Sequence, residues 1–328
     1  MKRREFLRWL LAAGGFISLG GFFFEQQSAP KTADAALAEP KYYRLLVLGD
    51  PHLPLKSLRI TDGAKRERVL AAKQQVIKDI QSWQDISRIA VVGDIAAQFG
   101  IAEEYAFARQ YFSPLAMPLD FITGNHDFIY EDQKNAKGHF VLCSPENRQK
   151  KLRAFQETFQ LPALSYAHTL GNYQLIYLSA DTLTSPHLAE LQPETLVWFE
   201  QELARHPERP TLVFFHAPLN HTLETYNKTI NTPSFIAQPE ASLRQLIEAN
   251  PQIKLWVSGH THTPATNPSY AAAINRYDNR VENIHNPDMD RETIWTNSLY
   301  LYPNEIRIRT YNHHTQQWES SLDRTIPI

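Results

Sequence analysis

Asp50, His52, Asp94, Asn125, His216, His260 and His262 are oxygen and nitrogen donors that each stand just after an apolar run. Leu45-Leu46-Val47-Leu48 precedes Asp50 and His52, and Ile89-Ala90-Val91-Val92 precedes Asp94. Leu119, Phe121 and Ile122 lead into Gly124-Asn125-His126-Asp127. Leu212-Val213-Phe214-Phe215 ends at His216, and Leu255-Trp256-Val257 is followed by His260 and His262. Short apolar runs of this kind read as buried strands, and in α/β sheets ligands gather at the carboxyl ends of strands. Seven convergent donors exceed what one tetrahedral ion takes and suit two ions sharing a carboxylate. No thiolate is among them, so Fe, Mn or Zn fit better than copper(I) or an iron-sulfur cluster. Two ions about 3.5–4 Å apart can bind both oxygens of an ester and deprotonate the water between them, which makes hydrolysis of a phosphate ester the expected chemistry.

These donors need strands to carry them and helices to return the chain. Pro51 and Pro54 are expected to hold the segment around His52 extended, so that Asp50 and His52, two residues apart, point the same way. Over 63–83, Val69, Ala72, Val76, Ile80 and Trp83 follow helical spacing, while Lys65, Arg66, Arg68, Lys73 and Lys78 are assigned to a solvated face. A second helix is expected over 101–112, a third on Leu152, Phe155 and Phe159, and two more opening near Pro193 and Pro239. Gly171-Asn172 between 166–169 and 173–179 predicts a hairpin, so the sheets are mixed. The stretches 128–147, 217–238 and 264–291 are read as loops beside the site, where substrate choice would lie. Strands are expected over 293–298, 299–302 and 305–311, with a turn at Asn312-His313-His314. No domain boundary is visible after about residue 40, so 39–328 reads as one domain.

The order Asp50-x-His52, Gly93-Asp94, Gly124-Asn125-His126-Asp127, His216, Gly259-His260-x-His262 resembles the calcineurin-like metallophosphoesterase superfamily, over residues 43–263. The resemblance implies an α/β fold of two stacked mixed β-sheets flanked by helices. It implies that Asp50, His52 and His262 hold one ion, that Asn125, His216 and His260 hold the other, and that Asp94 bridges them. His126 would stand beside the scissile phosphate, stabilising the transition state or protonating the leaving oxygen, with Asp127 orienting its imidazole. One departure is Gln98, where many members carry a charged residue four positions after the aspartate. The expected substrate is a phosphorylated small molecule or nucleotide, with monoester and diester both open. A nuclease or nucleotide phosphodiesterase on the same metal pair is the alternative within enzymes. A catalytically silent exported binding protein is the alternative outside them, although no metal-holding residue is missing here.

The formal charge of −2 argues against nucleic acid as a partner, because such binding lives on phosphate neutralisation. The single cysteine, Cys143, rules out an internal disulfide and is read as a small semi-buried side chain. At the N-terminus, Lys2-Arg3-Arg4-Glu5-Phe6-Leu7 precedes an apolar segment shorter than a spanning helix, followed by small residues up to Ala38. This layout resembles a twin-arginine export signal over 1–38. It makes the export machinery a partner, places the folded domain outside the cytoplasm, and restricts membrane contact to the N-terminal segment, as a cleaved signal or an uncut anchor. Cleavage would take away five basic and three acidic residues and leave a charge of −4. Asn220 and His221 are weaker site candidates. His285, Asn286, Asp288 and Asp290 are candidates for a third metal or for substrate, with Arg291 a phosphate clamp or a partner of Asp288.

Overall fold

In β1 (Tyr43–Leu48) alternate side chains serve two different cores, as a strand's two-residue period requires. Leu45 and Val47 pack with Leu175, Phe214, Val257 and Leu299, whereas Leu46 and Leu48 pack with Val76, Ile80, Tyr105 and Ala108. A strand buried on both faces reads as a continuous apolar run, and this one lies between a second sheet and a layer of helices. The computed structural model describes residues 40–56 and 59–328. The segment expected as an export signal lies outside them. Among the described residues no helix is long and apolar enough to cross a membrane.

The first sheet runs β12-β11-β10-β1-β2-β3. Here β2 (Ile86–Val92) and β3 (Leu119–Ile122) continue β1 in parallel, and β10 (Trp295–Leu301) and β11 (Glu305–Asn312) are antiparallel. Two short strands, β12 (Gln317–Trp318) and β13 (Arg324–Pro327), also pair with β11. The second sheet runs β4-β5-β6-β7-β9-β8. In it β5 (Tyr173–Leu178), β6 (Thr211–Phe215), β7 (Ile253–Ser258) and β9 (Val281–His285) are parallel, with β4 (Tyr166–Leu170) and β8 (Arg276–Tyr277) antiparallel at the edges. Helices α1 (Gly63–Ser82) and α2 (Ala102–Phe112) cover the first sheet, and α5 (Pro193–Arg205) and α6 (Glu240–Ala249) cover the second through Phe199, Leu203, Leu243 and Ile247. Helix α4 (Pro145–Thr158) starts from a Ser144 cap with Pro145 in its first turn. The result is the sandwich of two mixed sheets between helices that the sequence led us to expect.

Two expectations need correction. The 264–291 stretch is no single long loop: it contains β8 and β9, and β9 is fully buried. The strands expected at 293–298 and 299–302 are one, β10, since every residue from Trp295 to Leu301 pairs with β11 without a break. The turn expected at 312–314 is present, joining β11 to β12, and within it His313 is buried with Nδ1 2.7 Å from Asp79 Oδ2 of α1.

Candidate metal centre

The five strand ends that carry the donors do converge, and sharp backbone turns aim them. Asp50, His52, Asp94, His260 and His262 all have positive φ, between 40° and 66°. Left-handed backbone at a residue with a Cβ costs roughly 1–3 kcal/mol and persists only where the surroundings over-determine it. The expectation of an extended 50–52 segment is therefore wrong: two left-handed turns, not strand-like alternation, bring Asp50 and His52 together. Lys73 of α1 fixes this segment. Its buried ammonium donates to the carbonyls of Pro51, His52 and Pro54 at 2.8–2.9 Å and pairs with Asp290 at 2.5 Å, so it does not belong to the solvated helix face.

Three of the four histidines are oriented through one ring nitrogen. His52 Nδ1 lies 3.4 Å from the Ala96 carbonyl, His216 Nδ1 2.8 Å from that of Val92, and His260 Nε2 2.9 Å from that of Ser234. A carbonyl only accepts, so these nitrogens carry the protons and the opposite nitrogens present lone pairs. His52 Nε2 faces His262 Nε2 at 3.2 Å and Asp94 Oδ2 at 3.7 Å. His262 Nε2 lies 2.8 Å from Asp50 Oδ2. His216 Nε2 faces Asn125 Oδ1 at 3.2 Å and Asp94 Oδ1 at 3.4 Å, and Asn125 donates its amide to the Tyr130 hydroxyl. Asp50 Oδ1 is buried without a hydrogen-bond partner. Electron-pair donors facing one another beside an orphaned carboxylate oxygen form the donor set of a cation site.

Two groups result, Asp50-His52-Asp94-His262 and Asp94-His216-His260, each with donor atoms within 4.8 Å of one another. Asp94 is common to both, and Asn125 stands beside the second. The electrostatics agree. Burial alone would lower His216, yet Asp94 and Asp50 outweigh it and raise it to about 9, so the site calls for positive charge. His260, with burial first and His216 second, is pushed down to about 3. Burial also lowers His52, with Lys56 adding to it. Two glycines leave room for the carboxylates. A Cβ on Gly259 would meet Asp50 Oδ1 at 2.0 Å, and one on Gly124 would meet Asp94 Oδ1 at 2.4 Å.

His126 Nδ1 lies 2.9 Å from the Gln98 carbonyl, which leaves Nε2 for the cleft. Burial first, then Lys56, lowers His126 to about 3. Asp127 does not orient this imidazole as expected. Its carboxylate accepts from the backbone N–H groups of Ala96 and Gly124, both at 2.8 Å, and Ile95 at 3.3 Å. It sits in the first turn of α3 (Asn125–Phe128), where free N–H groups claim a carboxylate. The Gln98 carbonyl takes the orienting role instead.

Above these residues opens a cleft of about 400 Å³ whose floor includes Asp94, Asn125, His126, His260 and His262. The 128–147 loop supplies Tyr130, Lys134 and Phe140 to its wall, and the 217–238 loop supplies Asn227, Thr229 and Phe235, as expected of both. Phe140 packs on Tyr130 and His126 with ring centroids 4.6 and 5.6 Å apart, and Phe235 stacks on His260 at 4.7 Å. No described residue of 264–291 lines the cleft. Its polar group serves the scaffold: His285 meets the Thr222 carbonyl, Asn286 donates to that of Ser258, Asp288 pairs with Arg291 and Asp290 with Lys73. Asn220 bonds Glu240, and His221 is exposed outside the cleft. Cys143 is buried, its thiol raised to about 11 by that burial. Sequence reasoning missed Lys56, Lys73, Tyr130, Phe140 and Phe235. The only signal was Lys56 itself, a lone cation in the apolar turn Leu53-Pro54-Leu55.

The calcineurin-like phosphoesterase family profile matches residues 43–264, and the chain belongs to that family. Among curated proteins it is similar to a 3',5'-cyclic adenosine monophosphate phosphodiesterase of Haemophilus influenzae, 26% identical over 227 residues, 69% of this chain and 72% of the other. It is also similar to a 3',5'-cyclic-nucleotide phosphodiesterase of Nostoc, 24% identical over 64% of this chain and 72% of the other. An uncharacterised Bacillus subtilis protein is 23% identical over 57% of this chain, which spans only 13% of that protein's length. Among solved structures, a dimetal phosphatase of Danio rerio superposes with a TM-score of 0.54 at 12% identity, covering 87% of this chain and 98% of the other. A purple acid phosphatase of yellow lupin gives 0.52 at 15% identity, covering 84% of this chain and 52% of the other. Family and fold make the protein a hydrolase acting on phosphate esters.

Proposed function

We propose that the protein is a metal-dependent phosphodiesterase acting on small nucleotide-type diesters. One observation carries the reading: Asp94 belongs to two donor groups at once, on the floor of a cleft that also holds His126. The substrate class is supported by the printed activities of the two cyclic-nucleotide relatives and by a wall of Tyr130, Phe140 and Phe235, on which a planar base could rest. In this reading Asp50, His52 and His262 hold one cation, Asn125, His216 and His260 the other, and Asp94 both. When bound, the cations would neutralise phosphoryl oxygens and lower the pKa of a water.

The chain's own residues do the rest. Val92, Ala96 and Ser234 fix three histidine tautomers through their carbonyls. Gln98 holds His126 through Nδ1, so that Nε2 presents its lone pair to the cleft and can take up a proton beside the ester. Phe140 and Tyr130 cover His126 and exclude water from it. The test is turnover of a bis-aryl phosphate, an aryl monophosphate and a panel of cyclic nucleotides by protein loaded with Mn, Fe or Zn. Diester turnover well above monoester, lost in His126→Ala and Asp94→Asn, is the expected result. Equal rates in wild type and both variants would sink the site, and faster monoester turnover would sink the substrate class.

We also propose that residues 1–38 direct export of the 39–328 domain, a reading supported by the sequence layout alone. Replacing Arg3 and Arg4 by lysine is expected to retain the protein in the cytoplasm, and unchanged fractionation would remove the twin-arginine route.

A further inference from the structure

Lys56 is 6% exposed and lines the cleft alongside Asp94 and His126. Its ammonium affects both His52 and His126, so it stands on the side of the cleft where the Asp50-His52-Asp94-His262 group meets the catalytic imidazole. Among the described residues its ammonium has no ion-pair or hydrogen-bond partner, while its backbone N–H donates to Asp290 and its carbonyl accepts from the N–H groups of Arg59 and Ile60. A buried ammonium without a partner is costly, and proteins keep one where something arrives to meet it. The nearby carboxylates do not need it. Asp290 is paired with Lys73 and Asp288 with Arg291, while Asp50 and Asp94 are donors in the two cation groups. Lys56 is thus a fixed cation over the metal centre with its charge unspent. A compact ammonium with three donors suits a phosphoryl oxygen.

Resting on the phosphoesterase reading, we infer that Lys56 is a substrate-contacting residue, its ammonium donating to a non-bridging oxygen of the reacting phosphoryl group. This contact strengthens as charge gathers on the equatorial oxygens, so it acts on turnover as well as on binding. It also selects for an anionic ester over a neutral one of the same shape.

The experiment uses full-length, metal-loaded protein and inorganic phosphate as the probe, with Lys56→Met and Lys56→Arg, and Lys56→Gln as a second variant should methionine fail to fold. Calorimetric phosphate affinity is expected to fall roughly 10- to 100-fold in Lys56→Met and to return in part in Lys56→Arg, with metal content per chain unchanged. kcat/KM for the ester should fall with it, kcat included. Unchanged phosphate affinity overturns the contact, and loss of metal in Lys56→Met overturns it by assigning the residue to the ion site. The two readings separate cleanly. A wild type that hydrolyses no ester yet loses phosphate affinity in Lys56→Met sinks the reaction and keeps the contact. Full turnover with unaltered KM in that variant sinks the contact and keeps the reaction.

Discussion

Asp50 is held from three sides: its Oδ2 takes the His260 backbone N–H and meets His262 Nε2, both at 2.8 Å, and Gly259 lies against Oδ1. The missing side chain at 259 is therefore part of the site. In Gly259→Ala the new Cβ falls 2.0 Å from Asp50 Oδ1, and the carboxylate must swing out of the cluster. We expect an overpacking cost of about 1–3 kcal/mol and loss of one of the two ions, read as metal content per chain. Two ions retained at wild-type affinity would refute it. A second residue-scale effect lies outside the centre. His285 is buried, its Nδ1 has no hydrogen-bond partner, and burial lowers it to about 3. Between about pH 6.5 and that value the unfolded chain takes up a proton that the folded one refuses. Stability is thus full above pH 6.5 and falls as the pH drops, by up to about 1.4 kcal/mol per unit from this one side chain. Urea denaturation at several pH values should show a shallower slope in His285→Asn, and parallel curves would remove His285 from the account.

At the scale of elements, α1 does more than return the chain between β1 and β2. Lys73 projects from its apolar face into the 51–54 turn and meets Asp290, which also accepts from the Lys56 backbone. Removing one member of a buried pair strands the other's charge, so Lys73→Met should cost about 3–5 kcal/mol in denaturant titrations. The double variant Lys73→Met, Asp290→Asn should recover part of that loss, and additivity of the two single effects would show no coupling. Helical spacing placed α1 correctly, because Val69, Val76 and Ile80 repeat at its period, but it could not tell a buried lysine from a solvated one. The same limit hid β9. Glu282, Asn283 and His285 read as a loop, yet in the fold Arg324 lies by Glu282, Leu219 and Ser258 bond Asn283, and Thr222 meets His285. The donors at five strand ends were legible because each follows an apolar run. The left-handed turns, the Gln98 carbonyl and the Lys56 ammonium were not, since their roles depend on neighbours far away in sequence.

Across the whole molecule, the centre is where donors from both sheets face one another. Asp50, His52, Asp94 and Asn125 leave the ends of β1, β2 and β3 in one sheet, and His216, His260 and His262 leave β6 and β7 in the other. Elsewhere the sheets meet through apolar side chains such as Val47, Val92, Phe214 and Val257, and through polar contacts such as His168 with Asp120 and Arg324 with Glu282, none of which needs an ion. Cations held by both sets of donors would bind the folded state alone and add RT ln(1 + [L]/Kd), about 2.7 kcal/mol for free metal at a hundredfold excess over Kd. For a domain of this size, at about 2.1 cal/mol/K of unfolding entropy per residue, that corresponds to roughly 4–5 °C in Tm. Chelation should lower Tm by about that amount, and Asp94→Asn, which weakens both groups, should abolish most of the difference. The location of the effect is the sharper test. Hydrogen exchange after chelation should rise at residues 49–53, 93–97, 124–127 and 259–263, next to the donors, and stay unchanged at the opposite ends of the same strands, near Tyr43, Ile86 and Thr211. A uniform rise along those strands would mean that the centre does not join the sheets locally, and that the apolar core between them depends on the ions as a whole.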